Sequence, residues 1–226
     1  MLLSALTTVH VIAGVFCLGA GAVSAFVKPK GGRWHRLAGS TFIRALAVSA
    51  GTAAVLLCFR FQPFFFALSV LSFYFGFSGT RVLTRGRAVD GSPSARAHVA
   101  DWMAASAVLG VTVLAAYWSY RGVLGGDAGA VLGLLSFAVV AAGYDLWRFA
   151  FPHVRLSLRS LHVFEHLTKI SGAYIAVWCA FTANVAPEGV PGVWTQIAPA
   201  VIGTPILLVV ANRYFRKWRR SGTVGH

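Results

Sequence analysis

Residues 161–174 read LHVFEHLTKISGAY, and His162, Glu165, His166 and Lys169 fall among them at i, i+3, i+4 and i+7. On a helix that spacing sets all four side chains on one face. Two imidazoles one turn apart can grip a divalent metal ion, given a third ligand from another segment. His162-x-x-Glu165-His166 also matches the H-x-x-E-H pattern of one class of zinc peptidases, which take a further glutamate from well downstream. His98 and Asp101 form a second pair at i and i+3, and His35 is a further imidazole. Asp101, Asp145 or Glu165 could ligate a metal, orient an imidazole N–H, or act as a general base.

The elements that must position these residues are membrane helices. Of the 226 residues, 57% are hydrophobic and only 12% charged, with a mean hydropathy of +0.71. Soluble domains carry about a quarter charged residues, so the solvent for this chain is a bilayer. A helix needs about 20 apolar residues to cross the hydrocarbon. Seven segments qualify, at 3–27, 36–59, 63–82, 98–120, 128–147, 161–185 and 192–213. The expected fold is all-α, one seven-helix transmembrane domain over 1–226 that ends in a basic tail at 214–226. The start, MLLSALTTVH, lacks a basic n-region and reads as a retained first span. The short connections Arg60–Gln62 and Ala186–Pro191 make their neighbours antiparallel. Pro63, Pro187 and Pro191 mark helix boundaries, and Pro199 and Pro205 are expected to kink the last span, as membrane helices tolerate. The stretch 84–97 is a Gly-, Ser- and Pro-bearing loop. Ala13, Cys17 and Gly21, four apart, suit close helix packing. Cys17, Cys58 and Cys179 stand singly and suggest neither a disulfide framework nor a thiolate metal site.

Charge then orients the bundle. Lys28, Lys30, Arg33 and Arg36 follow span 1, Arg81, Arg85, Arg87 and Arg96 follow span 3, and Arg148, Arg155 and Arg159 follow span 5. With Arg213, Arg216, Lys217, Arg219 and Arg220 of the tail, 16 of the 20 basic residues lie on one side. The positive-inside rule places the N-terminus outside and the C-terminus in the cytoplasm, with the chain in the cell's inner (plasma) membrane. The tail, NRYFRKWRR, should lie on anionic inner-leaflet lipid, with Tyr214, Phe215 and Trp218 at the interface and the bases near headgroups. The formal charge of +14 therefore reflects topology and lipid, not nucleic acid, since no separate basic domain exists.

In this frame His35, His98, Asp101, Asp145, His162, Glu165, His166 and Lys169 share a layer near the cytoplasmic face, on four helices. Ionisable groups at such depth are costly and are the best functional leads. The peptidase reading fails on topology, because the only later acid, Glu188, falls at the opposite face. Other readings stay open. His162 and His166, with His35 or His98, could bind a divalent metal. Two of these histidines could instead ligate a b-type haem. In a bland reading they bond carbonyls and headgroups, and Glu165 and Lys169 form an i,i+4 pair. In a transporter or interaction protein, Arg44, Asp101, Glu165 and Lys169 would make a buried ion-pair network, Arg44 taking Asp101, Asp145 or Glu165 as partner. A metal-dependent lipid hydrolase would draw on Ser40, Thr41, Ser78 and Thr80, an analogy in residue types alone. His10, near the outer face, reads as a satisfied polar residue or a proton site.

The motifs His10-x-x-x-Gly14, KGGRWHRLAGSTF from Lys30 to Phe42, SGTR ending span 3, Asp101-Trp102, and HLTKISGAYIAVWCAFTAN from His166 to Asn184 occur in this order. In this the chain resembles a family of predicted bacterial membrane proteins of unknown function, domain of unknown function 2306. The resemblance spans most of the first six segments and implies a multi-span membrane protein. Many members carry Met where Lys169 stands, and a cation there would repel a neighbouring metal.

Overall fold

The computed structural model describes residues 1–87, 96–151, 161–185, 189–190 and 192–221, with 87 and 217–221 described by backbone alone. Among these residues there is no strand. Seven long helices follow one another: α1 Leu2–Phe26, α2 Arg33–Phe59, α3 Pro63–Arg87, α4 Val99–Tyr120, α5 Ala128–Ala150, α6 Leu161–Asn184 and α7 Gly192–Ser221. Six of them, all but α6, are long and apolar enough to cross a membrane. The exception opens with His162, Glu165, His166 and Lys169, the polar face already singled out.

Each helix matches an expected segment, with some ends displaced. α3 runs past the expected loop boundary to Arg87 and α2 begins at Arg33, so Arg85 and Arg33 sit on helices and not in loops. The expected loop residues Arg155 and Arg159, together with Pro187, Glu188 and Pro191, lie outside the described residues. Helix α7 continues through Pro199 and Pro205.

Local chemistry sets several ends. At the start of α4 the His98 N–H donates to Asp101 Oδ2 (2.8 Å), and His98 Nδ1 accepts from the Ala100 N–H (3.3 Å). This reciprocal cap satisfies donors that a helix start leaves unpaired. α4 ends at Gly122, whose φ of +71° is a left-handed conformation that glycine adopts without Cβ strain. The N–H groups of Gly122 and Val123 then close on Ser119 and Trp118 oxygens at 3.0 and 2.9 Å, a Schellman-type stop. Lys30 donates to the last carbonyls of α1, Ser24 O at 2.9 Å and Ala25 O at 2.5 Å.

The bundle is organised around α3 and α6, which pack closely on each other. α1 and α2 pair on one flank and α4 and α5 on the other, while α7 lies against α6. Small residues allow the close approaches. The buried face of α1 is the expected Ala13, Cys17 and Gly21 stripe, and its Cys17 joins Phe42, Leu46 and Ala173 in one apolar cluster. At Gly79 of α3, a Cβ would come within 2.9 Å of Ile170 and 3.1 Å of the Lys169 Cβ. Glycine there sets the α3–α6 separation across which the polar side chains reach. Large apolar residues such as Val15, Phe16, Val113, Val140, Ile202 and Leu208 face outward. On a protein in water such belts would be aggregation surfaces, whereas lipid solvates them.

Candidate functional site

A polar core lies where α3, α5 and α6 meet. Asp145 on α5 and Lys169 on α6 are 2% and 6% exposed. The Lys169 ammonium donates to Asp145 Oδ1 at 2.5 Å and to Ser78 Oγ at 2.8 Å. Asp145 Oδ2 accepts from Ser78 Oγ at 2.5 Å and from the Tyr74 hydroxyl at 2.6 Å. One carboxylate thus takes three donors, and Ser78 bridges the two charges by donating to one and accepting from the other. Removing two charges from water costs several kcal/mol per ion unless geometry and hydrogen bonds compensate. Here both conditions are met.

A second network sits on the side of α3 toward α4. Arg81 grips Asp101 with two bonds, Nε to Oδ1 and Nη2 to Oδ2, each 2.9 Å. Arg85 Nη1 lies 2.9 Å from the same Oδ1, and its guanidinium stacks 4.8 Å above the Phe149 ring of α5. Asp101, 3% exposed, also holds the α4 cap, so it fastens α3 to the start of α4. Two guanidiniums on one carboxylate leave this corner with excess positive charge.

Glu165 accepts a hydrogen bond from the Tyr144 hydroxyl of α5. Both residues line a groove of about 710 Å³ between α5 and α6, walled by Phe75, Val140 and Phe164, with Lys169 at its floor. One member of the ion pair therefore lines a recess that opens on the bundle surface.

These observations rearrange the expected site. The histidines disperse: His35 Nδ1 meets Ser24 O at 3.0 Å, on α1, and His98 caps its own helix. His166 Nδ1 meets Gly79 O at 2.9 Å, on α3, and His162 packs against Gly86 near the end of α3. Among the described residues, no group of three or more His, Cys, Asp or Glu side chains comes together as a metal site would require. His10 Nδ1 is satisfied by Ser49 O at 3.0 Å and Thr52 Oγ1 at 3.1 Å. Glu165 and Lys169 do not pair with each other, because each turns to α5, toward Tyr144 and Asp145. Arg44 takes none of its three expected partners. Asp101, Asp145 and Glu165 are all engaged on α3, α5 or α6, and Arg44 is exposed on the α1–α2 side. Of the candidate hydrolase residues only Ser78 joins the core, while Thr80 bonds back to its own helix at Gly76 O and Phe77 O. In the tail, Arg213 and Arg216 are exposed, while the side chains of Lys217, Trp218, Arg219 and Arg220 lie outside the described residues.

Tyr74, Arg81, Arg85 and Tyr144 were missed as site residues. A signal for three of them was present, since Tyr74, Ser78, Arg81 and Arg85 fall at i, i+4, i+7 and i+11. That is a polar stripe down one face of an otherwise apolar helix. With the geometry in place, comparison with known proteins adds no kinship: the chain matches no protein-family model, no curated protein and no solved structure.

Proposed function

We propose that the protein is a seven-span transporter of the bacterial inner membrane, with its N-terminus outside and its C-terminus cytoplasmic, and that the Asp145–Lys169 pair is its coupling element. Kinship with the domain of unknown function 2306 membrane proteins is part of the same proposal. The observation that carries it is the bridged charge pair beneath the α5–α6 groove. Intramembrane ionisable residues are rare, face bundle interiors or water-filled cavities, and mark substrate or ion pathways. A purely structural core could replace both charges by apolar side chains with little loss or even a gain in stability. An incoming cation, a proton included, would compete with the Lys169 ammonium for Asp145 Oδ1, and Ser78 and Tyr74 would hold the carboxylate in place meanwhile. Metal and haem readings need imidazoles that converge, whereas His35, His98 and His166 turn to separate partners.

The test is flux into proteoliposomes under a potassium–valinomycin potential, followed with a trapped pH dye and with radiolabelled sodium. The wild-type protein should carry protons or sodium above protein-free vesicles, and Asp145→Asn and Lys169→Met should each abolish that flux. Wild-type vesicles as tight as empty ones to both ions, or single variants with undiminished flux, would sink the proposal.

A further inference from the structure

Arg44 is a charged side chain within an apolar helix that the described bundle does not accommodate. It lies eleven residues after Arg33 at the start of α2, about 16 Å along the axis, on a helix apolar enough to cross a membrane. It is exposed, and among the described residues it has no hydrogen-bond or ion-pair partner. A bare guanidinium facing hydrocarbon is costly, so its position requires an anion from outside the chain.

The surroundings define that anion. Arg44 and Thr41, at i and i+3 on one face of α2, border a groove of about 330 Å³ between α1 and α2 that is otherwise walled by apolar residues including Ile12, Phe16, Ala45 and Val48. Side chains on a helix lean toward its N-terminus, which for α2 is the Arg33 end. The adjoining loop and first turn of α2 carry Lys28, Lys30, Arg33 and Arg36, which attract acidic lipid to that end. A second copy of this chain is a poor source of the anion. Its Asp101, Asp145 and Glu165 are already committed to Arg81 and Arg85, to Lys169, and to Tyr144. Of the remaining acids, Asp127 sits in a short 3-10 turn just before α5, and Asp90 and Glu188 fall outside the described residues.

We propose that the α1–α2 groove binds one acidic phospholipid of the bilayer. Its phosphodiester sits on Arg44 and Thr41, and one acyl chain runs past Phe16, Ala45, Ile12 and Val48. A guanidinium suits this ligand because its planar fork donates two parallel bonds to phosphate oxygens. The site is independent of the transport proposal, lying on the opposite flank from the α5–α6 groove.

Native mass spectrometry after detergent delipidation tests it, with phosphatidylglycerol and phosphatidylcholine of identical chains added back. Wild type should retain one phosphatidylglycerol at least tenfold more tightly than phosphatidylcholine. Arg44→Gln should lose that preference, Arg44→Lys should keep part of it, and an Arg213→Gln/Arg216→Gln variant should keep it whole. Removing an unpaired charge should leave the detergent melting temperature of Arg44→Gln at or above wild type, which separates lost binding from lost folding. Equal retention by wild type and Arg44→Gln would overturn the site. So would an Arg44-dependent dimer or protein partner in the spectra in place of the lipid.

Discussion

Replacing Asp145 by Asn changes one atom, yet it removes the carboxylate to which a buried ammonium is bonded. Asp145 Oδ1 faces Lys169 at 2.5 Å while Oδ2 faces Ser78 and Tyr74 at 2.5 and 2.6 Å. An asparagine must turn its NH2 toward one of these donor sets. The hydroxyls can rotate to accept, but Lys169 cannot, so a 6%-exposed charge keeps at best one neutral acceptor. Breaking a buried pair from one side costs about 3–5 kcal/mol, which at ~2–4 °C per kcal/mol for a chain of this size lowers the melting temperature by roughly 6–20 °C. Lys169→Met strands a carboxylate that still has two donors, so its cost should fall at the lower end, about 3 kcal/mol. The double variant Asp145→Asn/Lys169→Met leaves no charge behind and should return to within about 1 kcal/mol of wild type. The protein carries its own reporters for the assay. Cys17 and Cys179 are 0% and 1% exposed, so in a Cys58→Ser background a thiol-reactive dye in mild detergent reads unfolding directly. Single-variant losses that add within about 0.5 kcal/mol in the double variant would refute the reasoning, because side chains sharing an ion pair must couple. The same double variant sharpens the transport test, since it should fold and still carry no flux.

Two further outcomes follow from the fold. Gly79→Leu should force α3 and α6 apart at the point where a Cβ already meets Ile170 and Lys169. We expect a loss of about 1–3 kcal/mol from overpacking in the same thiol-dye assay, and a melting temperature equal to wild type would show that the close approach is not tight. In a topology assay with reporters fused after single spans, a cytoplasm-active reporter should work after Arg216 and a periplasm-active one after Arg60 or Arg121, and the reverse pattern would invert the proposed orientation.

The sequence by itself determined the helices. Long apolar runs, a deficit of charge and prolines at segment ends leave a chain in lipid no other way to satisfy its backbone, and the seven long helices of the described residues form at the expected segments, six of them apolar enough to cross a membrane. It also marked Asp101, Asp145, Glu165 and Lys169 as residues whose charge must be explained, and the Ala13, Cys17 and Gly21 stripe as a packing face. Only the tertiary structure decided who meets whom. Periodicity reports which face a residue occupies on its own helix, and nothing about the azimuth of the neighbour. The His162, Glu165, His166 and Lys169 stripe looked like one site, yet α6 packs against α3 and faces α5 across the groove. His166 therefore turns to Gly79, while Glu165 and Lys169 reach Tyr144 and Asp145. Likewise Arg44 appeared to need an internal acid, but it is exposed on the α1–α2 side, while Asp101, Asp145 and Glu165 are bonded to other partners. Its charge must be met by something outside the chain.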